Sequence, residues 1–479
     1  MIADAPLWAR GAMLEAAQAI ALLVIVTALA QTAFYVVQLG YAAIALSNRP
    51  PVPRGATLWR RYSDQAPPIA VIVPAYNEER TVIESLRALL ALHYPDYEVL
   101  LVNDGSKDAT LARVIEAFDL KRVGRYVDTA VPHQPIRGFF ANPDLPRLLV
   151  IDKVNGGKAD ALNAGINAAR ASLFCAIDAD SLLEADALLR VVRPFIDYPD
   201  QTIAVGGTIR IANGCTVDAG RVTHVALPGN YLALVQIMEY LRAFLMARLA
   251  LGQMQALAVI SGAFGLFSRQ HVVEVGGYSL GTVGEDMELV VKLHRHMRER
   301  QRPYRIDFIA EPVCWTECPE DLGVLSRQRS RWQRGTLECF FKHRTMCFNP
   351  RYGRIGIVCF GQILLVDVLG PLIEVLGYVL LPLLWFTKLL ALPWLLAFIA
   401  ATVTFGIAIS TCTLILEEIQ LRRFPRAHQL LVLAAAAVME NFGYRQLSNL
   451  WRLKGWWEFV RGEQGWGAMG RKGFASAGA

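Results

Sequence analysis

Between Ala16 and Asn48 the chain carries no charged side chain, and roughly 20 apolar residues in a helix already span a hydrocarbon core of about 30 Å. A second apolar region follows Arg354. It covers residues 355–387, broken by Asp367 and Glu374, then 389–416, then a weaker stretch at 428–450. A chain built this way commits both flanks to lipid, and its 54% hydrophobic content is concentrated in them. The intervening residues read as an ordinary soluble α/β domain and must carry the chemistry. The first apolar run is too long for a secretory leader and lacks the basic start of one. It ends in Ser47, Asn48, Arg49 and Pro50 instead of a small-residue cleavage site, so it reads as a retained helix.

The expected organisation is an amino-terminal segment 1–15, a transmembrane helix 16–48, a Pro-rich linker 49–68 and a central domain 69–344. Two transmembrane helices follow in 345–427, then a segment 428–451 that is interfacial, re-entrant or a third crossing, and a basic tail 452–479. Arg49, Arg54, Arg60 and Arg61 follow the first helix, whereas Arg10 alone precedes it. That bias puts the central domain in the cytoplasm, on the inner face of a plasma membrane crossed several times. Arg422, Arg423 and Arg426 lie before the 428–451 segment, and Arg452, Lys454, Arg461, Arg471 and Lys472 after it, so both flanks look cytoplasmic.

The net charge of +6 calls for no nucleic acid, because much of the basic excess borders apolar segments, where a lipid bilayer is the partner. Eight cysteines show no paired framework and no CxxC spacing, which suits a reducing compartment. Asp367 and Glu374, costly in lipid, either line a polar path or pair with Arg or Lys on a protein-buried face.

In the central domain, β-prone apolar runs alternate with helical patterns. Strands are expected at 69–74, 97–102, 147–152 and 173–177, with helices at 78–91, 108–117 and 158–171. This is the rhythm of a mostly parallel sheet with crossover helices. Ligands in such sheets bind beyond the carboxyl ends of the strands, and Asn and Asp fall there repeatedly. Residues 227–255 form a long amphipathic helix candidate carrying Arg242 and Arg248, expected to pack on the central domain or lie on the membrane surface. His294 and His296, two apart on a helix, do not share a face and read as structural.

Four clusters carry chemistry. Asp178-Ala179-Asp180 ends a strand and offers hard oxygens suited to Mg²⁺ or Mn²⁺ bridging a diphosphate; alone, such a triplet also arises by chance. Asn155-Gly156-Gly157-Lys158 opens a helix, where amides and an ammonium can meet phosphate oxygens or merely cap a turn. Gly284-Glu285-Asp286 precedes a helix; capping explains one acid, and the second is free to serve as a base. Gln328-Arg329-Ser330-Arg331-Trp332 combines cations for a leaving phosphate with an indole for a flat apolar ring face, and reads equally as an interfacial anchor.

Taken in order, VIVPAYNEE at 71–79, NDGSKD at 103–108, NGGKADALN at 155–163, DAD at 178–180, SGAFG at 261–265, GED at 284–286 and QRSRW at 328–332 give the chain its resemblance to a family. It resembles the processive family 2 membrane glycosyltransferases, which include the cellulose, hyaluronan, chitin and poly-N-acetylglucosamine synthases. The resemblance implies a GT-A type nucleotide-sugar-binding domain flanked by transmembrane helices. It implies inverting, metal-dependent transfer from a UDP-sugar donor to a carbohydrate acceptor, and export of a β-linked polysaccharide. By position, Tyr76, Glu78 and Asp104 would hold the uridine, Lys158 and Asp178 would contact nucleotide or diphosphate, and Asp180 would bind Mg²⁺ or Mn²⁺. Asp286, beside Glu285, would be the general base. Gln328 and Arg331 would close over the pyrophosphate, Trp332 would stack under the acceptor, and Ser261 and Gly262 would line its pocket.

Three departures accompany the likeness. Gly284 stands where the family has Thr, no long carboxy-terminal regulatory domain is expected, and about three crossings leave a homo-oligomer or a separate export partner open as the pore. The competing readings are a non-processive transferase adding one sugar to a lipid-linked acceptor, and a catalytically silent membrane scaffold.

Overall fold

The computed structural model describes residues 7–48, 55–421 and 426–463. Arg49, Arg54, Arg422, Arg423, Arg471 and Lys472, with residues 1–6 and the tail beyond 463, lie outside the described residues.

The central domain is built on twelve strands: β1 (Ile69–Ala75), β2 (Tyr97–Asn103), β3 (Lys121–Val123), β4 (Ile136–Ala141), β5 (Leu148–Lys153), β6 (Leu173–Ile177), β7 (Leu182–Leu183), β8 (Thr202–Ile211), β9 (Thr216–Asp218), β10 (Arg221–His224), β11 (Phe264–Ser268) and β12 (Arg305–Thr316). Ten of them form one sheet in the order β3-β4-β5-β2-β1-β6-β11-β8-β12-β7, while β9 and β10 make a separate hairpin. β5, β2, β1 and β6 run parallel, as do β8 and β12; the other pairs are antiparallel. From β1 the chain passes to β2, runs out to the edge strand β3 and returns through β4 and β5, then crosses to place β6 on the other side of β1. That reversal opens a crevice at the carboxyl ends of β1 and β6.

The parallel strands form where nearly continuous Val, Ile and Leu runs can be buried on both faces; in β1 and β2 almost every residue is inaccessible. Three expected helices are shorter than the sequence pattern suggests, spanning Val82–Leu90, Thr110–Ala117 and Lys158–Ala168. The first begins late because Asn77 takes a left-handed φ of 57° and the Glu78 carboxylate accepts from the Thr81 hydroxyl at 3.0 Å, making a turn before the helix.

Among the described residues, three helices are long and apolar enough to cross a membrane: Gln18–Ser47, Ile355–Phe386 and Leu392–Ile419. Helix Ala427–Met439, at 13 residues, is shorter. Its Leu433, Ala436 and Ala437 pack on Ala233, Ile237 and Met238 of helix Tyr231–Tyr240. The 227–255 stretch is one winding of three pieces, Tyr231–Tyr240, a π-helical turn Leu241–Arg248 and Leu249–Gln253. It lies between the sheet domain and the apolar helices, touching β8 and β12 on one side and helices Leu7–Ser47 and Leu392–Leu421 on the other. A last helix, Tyr444–Val460, runs along helix Leu322–Lys342. Asp367 and Glu374 meet partners on it: Arg452 donates to Asp367 at 2.9 Å, and Asn449 donates to Glu374. All eight cysteines are free thiols. His294 is buried between the Leu257 carbonyl and the Tyr304 hydroxyl, and burial lowers its pKa to about 4.

Candidate active site

The turn after β1 carries Tyr76, which is 44% exposed, and Glu78. It is locked to the turn after β2, because the Asn77 amide donates to the Ser106 hydroxyl at 3.0 Å and the Lys107 amide donates to Asn77 at 2.8 Å. Asp104 directly follows β2 and is only 3% exposed. Its carboxylate accepts from Lys153 Nζ at 2.5 Å, from the amides of Gly156 and Gly157 at 3.0 and 2.8 Å, and from Asn155 Nδ2 at 3.1 Å. Asp104 therefore braces the NGGK loop from beneath. Lys153, fully buried at the end of β5, also pairs with Asp160 at 2.5 Å.

That brace presents Lys158 at the first turn of its helix. Lys158 Nζ lies 2.5 Å from Asp178 Oδ1 and 3.5 Å from Glu285 Oε1, and donates to the Gly262 carbonyl at 3.3 Å. Asp178 and Asp180 are half-buried on either side of buried Ala179, in the turn that leaves β6. The Gly262 amide donates to Asp286 Oδ2 at 2.9 Å, and Asp286 Oδ1 accepts from the Met287 amide at 2.8 Å. A side chain at 262 would place its first carbon 2.7 Å from Lys158 Nζ, so the ammonium would have to shift from its present position. Ser261 precedes it, half-buried, its carbonyl accepting from the Phe264 amide at 3.0 Å.

Burial raises the Glu285 pKa to about 7, against the Lys158 charge that lowers it and the Asp286 charge that adds to it. The two adjacent acids thus differ in environment: one sits beside the ammonium in a dry pocket, the other is fixed by two backbone amides. Separating neighbouring carboxylates in this way is how acid and base roles are divided.

Helix Leu322–Lys342 carries QRSRW and is capped by Asp321. Arg329 is buried against Glu239 at 2.6 Å, with its guanidinium 4.2 Å from the Trp332 ring centre, and holds an indole that remains 44% exposed. Gln328 and Arg331 are half-buried on the same helix. The helix reaches the acids through residues outside the motif. Glu338 accepts from the Thr282 hydroxyl and the Val283 amide, each at 2.9 Å, and Glu288, fully buried, pairs with Lys342 at 2.7 Å. Gly284 lies backbone to backbone on Gly335: a first side-chain carbon on Gly284 would stand 3.0 Å from Gly335 backbone atoms, and one on Gly335 would stand 2.9 Å from Gly284. At position 284 two chain segments therefore touch directly.

Lys158, Asp178, Gly262, Glu285 and Asp286 are thus brought into one cluster, with Tyr76 and Glu78 joined to it through Asn77 and the Asp104 brace. Gln328, Arg331 and Trp332 sit on a neighbouring helix tied to the acids by glycine contact and buried carboxylates. Sequence reasoning missed Lys153, Asp160, Gly335 and Glu338. A lysine two residues past the apolar run Leu148–Ile151 was the available signal for the first; the others have no local signature.

Two family patterns match the chain: Glycosyl transferase family 2 over residues 70–275, and Glycosyl transferase family group 2 over residues 173–414. A poly-beta-1,6-N-acetyl-D-glucosamine synthase of Staphylococcus epidermidis is 28% identical over 295 residues, covering 62% of this chain and 61% of the relative. The synthase of Staphylococcus aureus (strain COL) is 29% identical over 303 residues, covering 63% and 62%. The chain thus spans about three-fifths of the length of these curated relatives. Among solved structures, a mannosyltransferase from Pyrobaculum calidifontis in complex with GDP-Man and Mn²⁺ superposes with a TM-score of 0.50 at 19% identity, covering 92% of this chain and 99% of that one. At that identity the likeness speaks for the fold, a GT-A-like domain. With strand-end acids gathered at the switch point of such a sheet, and one family pattern running from residue 173 to residue 414, the chain belongs to the family 2 glycosyltransferases.

Proposed function

We propose that this glycosyltransferase is a membrane-embedded polysaccharide synthase. In this reading it transfers N-acetylglucosamine from UDP-N-acetylglucosamine, with inversion, to a growing β-linked chain on the cytoplasmic face, and the product is exported. The observation that carries the reading is the convergence of Lys158, Asp178, Gly262, Glu285 and Asp286 within 2.5 to 3.5 Å contacts, in a domain bordered by three helices long enough to cross a bilayer. The synthases matched in two staphylococci supply the sugar.

The donor set fits a divalent ion held jointly with substrate. Asp178 and Asp180 offer hard carboxylate oxygens from one turn, and no group of three or more His, Cys, Asp or Glu residues able to hold a metal alone occurs among the described residues. Two carboxylates with the remaining positions left to phosphate oxygens and water is the usual protein share for Mg²⁺ or Mn²⁺. When bound, such an ion neutralises charge developing on the departing diphosphate.

The chain's own residues do the rest. Tyr76 and Glu78 border the nucleoside, and Asp104 acts from below by fixing the loop amides. Lys158 adds a positive charge beside the diphosphate. Asp286, oriented by the Gly262 and Met287 amides, takes the proton of the attacking hydroxyl. Gln328 and Arg331 cover the pyrophosphate and Trp332 stacks on the acceptor ring. A homo-oligomer or a separate export partner completes the exit path.

Full-length protein in lipid nanodiscs, given UDP-N-acetylglucosamine with Mn²⁺ or Mg²⁺, is expected to release UDP only with metal and to yield a polymer. A single-sugar adduct on lipid would replace this reading with one-step transfer, and no UDP release from any UDP-sugar would end it.

The Gly284–Gly335 contact sets the distance between base and QRSRW helix. Gly335→Ala puts a methyl 2.9 Å from the Gly284 backbone, so the two segments must separate. Since small misplacements of reacting groups cost up to about 100-fold, transfer is expected to fall roughly ten- to a hundredfold. Initial rates of UDP release check this; a rate within twofold of the parent would show that the separation does not matter.

A further inference from the structure

Arg248 closes the π-helical turn Leu241–Arg248, a winding that recurs at functional sites because it shifts one side chain out of helical register. Its guanidinium stacks 3.9 Å from the centre of the Phe244 ring. Its Nη1 is buried and has no hydrogen-bond partner. Buried arginines elsewhere also leave a nitrogen unused, but each is anchored by a carboxylate: Arg190 by Asp186, Arg210 by Glu417, Arg329 by Glu239 and Arg334 by Glu338 and Glu458. Arg248 has no ion pair among the described residues. Burial lowers its pKa to about 10, so it is still a cation at neutral pH, and the carboxylate whose field reaches it is Asp286. Arg248 is half-buried, and an Nη1 shut off from solvent without a partner is costly unless something binds it.

The direction of approach identifies what would bind. Lys158 and Asp178 reach the cluster from the strand ends, where the diphosphate is proposed to lie, and Lys158 is already engaged by Asp178, Glu285 and the Gly262 carbonyl. Arg248 is carried by the helix that packs against the apolar helices Leu7–Ser47 and Leu392–Leu421. The same helix is tied to the apolar layer by Arg242, which donates to the Ser410 hydroxyl at 2.7 Å and to Glu440. A sugar chain leaving toward that layer would present its terminal residue between Arg248 and Asp286. A guanidinium there offers N–H donors to hydroxyl, ring or amide oxygens of a neutral sugar, with the Phe244 ring restricting where the guanidinium can point.

We propose that Arg248 is an acceptor-binding residue: its free Nη1 donates to an oxygen of the terminal sugar of the acceptor and turns the attacking hydroxyl toward Asp286. Its contribution falls on acceptor affinity and elongation, not on donor binding. The assignment rests on the reading of Asp286 as the base of UDP-sugar transfer.

Three measurements on full-length protein in nanodiscs separate the two claims: UDP release without added acceptor, elongation of an N-acetylglucosamine oligosaccharide, and direct calorimetric binding of that oligosaccharide without donor. For Arg248→Gln, oligosaccharide Kd and acceptor KM are expected to rise about tenfold or more, the size of one lost charge-assisted hydrogen bond. Donor KM and acceptor-free UDP release should stay within about twofold, since Arg248 touches neither in this assignment. Arg248→Lys keeps the charge without the fork, should recover part of the loss, and carries the test alone if the Gln variant does not fold. Equal oligosaccharide binding by parent and variant overturns the assignment, as does a rise in donor KM together with a fall in acceptor-free UDP release. A parent protein that releases no UDP overturns the proposed activity instead, and the binding measurement still decides the role of Arg248.

Discussion

Asp286→Asn is expected to lower sugar transfer about 100- to 10,000-fold while leaving donor KM within about twofold, the signature of a lost general base. The substitution is nearly isosteric. The amide oxygen can still accept from the Gly262 or Met287 amide, which hold the carboxylate at 2.9 and 2.8 Å, so the fold of the site should survive and the loss should reflect proton transfer. Glu285→Gln is the informative companion. Glu285 is buried beside Lys158 at 3.5 Å, and its pKa, raised to about 7 by burial, leaves much of it protonated near neutrality, so a neutral replacement there should cost far less. UDP release and polymer formation measured for both variants, in the same lipid and metal, decide the matter. If Asp286→Asn keeps more than a tenth of the parent rate, or if Glu285→Gln is the more damaging of the two, the base has been assigned to the wrong acid.

Much of the fold was legible because of where its signals are strongest. β1, β2, β5 and β6 are runs of apolar residues with an Asn or Asp within two residues of their carboxyl ends, and burial on both faces leaves such runs little alternative. β8 was not legible: Gly206 and Gly207 sit in its middle, against strand propensity, and are there because Phe308 and Val313 of β12 pack where their side chains would be. β3, with all three residues exposed, has no apolar pattern to find. The same division holds at the site. Acids at strand ends and the GED and QRSRW clusters are visible as residue types in order, and the cluster around Lys158 gathers several of them. The contacts that hold these clusters in register are long-range pairs, Gly284 with Gly335 and Val283 with Glu338. Nothing local distinguishes Gly335 or Glu338 from any other helical glycine or glutamate. The position of Arg248 depends on a change of helical winding that no periodicity argument anticipates.

The second large effect is on stability, at a residue with no direct part in the proposed chemistry. Lys153→Met is expected to destabilise the domain by about 3–5 kcal/mol, because it leaves buried carboxylates without their counter-charge. Lys153 is fully buried and its ammonium lies 2.5 Å from Asp104, 2.5 Å from Asp160 and 2.6 Å from the Val154 carbonyl. The methionine fits the volume and returns none of those bonds. Asp104 keeps the Gly156, Gly157 and Asn155 donors and Asp160 keeps the Gln134 amide, so the residual cost is mainly that of two anions facing each other in a dry interior. For a domain of this size the loss corresponds to an apparent Tm lower by roughly 10 °C. Asp160→Asn introduced into Lys153→Met removes one of the two charges and should restore part of the stability, with a coupling between the sites of about 1–3 kcal/mol. Thermal unfolding of the four proteins of that cycle, at one scan rate and in one lipid, measures it. A Lys153→Met protein melting within about 2 °C of the parent would mean that water or an altered loop reaches the carboxylates. Asp104 would then be free to face the nucleotide directly, instead of acting through the loop it braces.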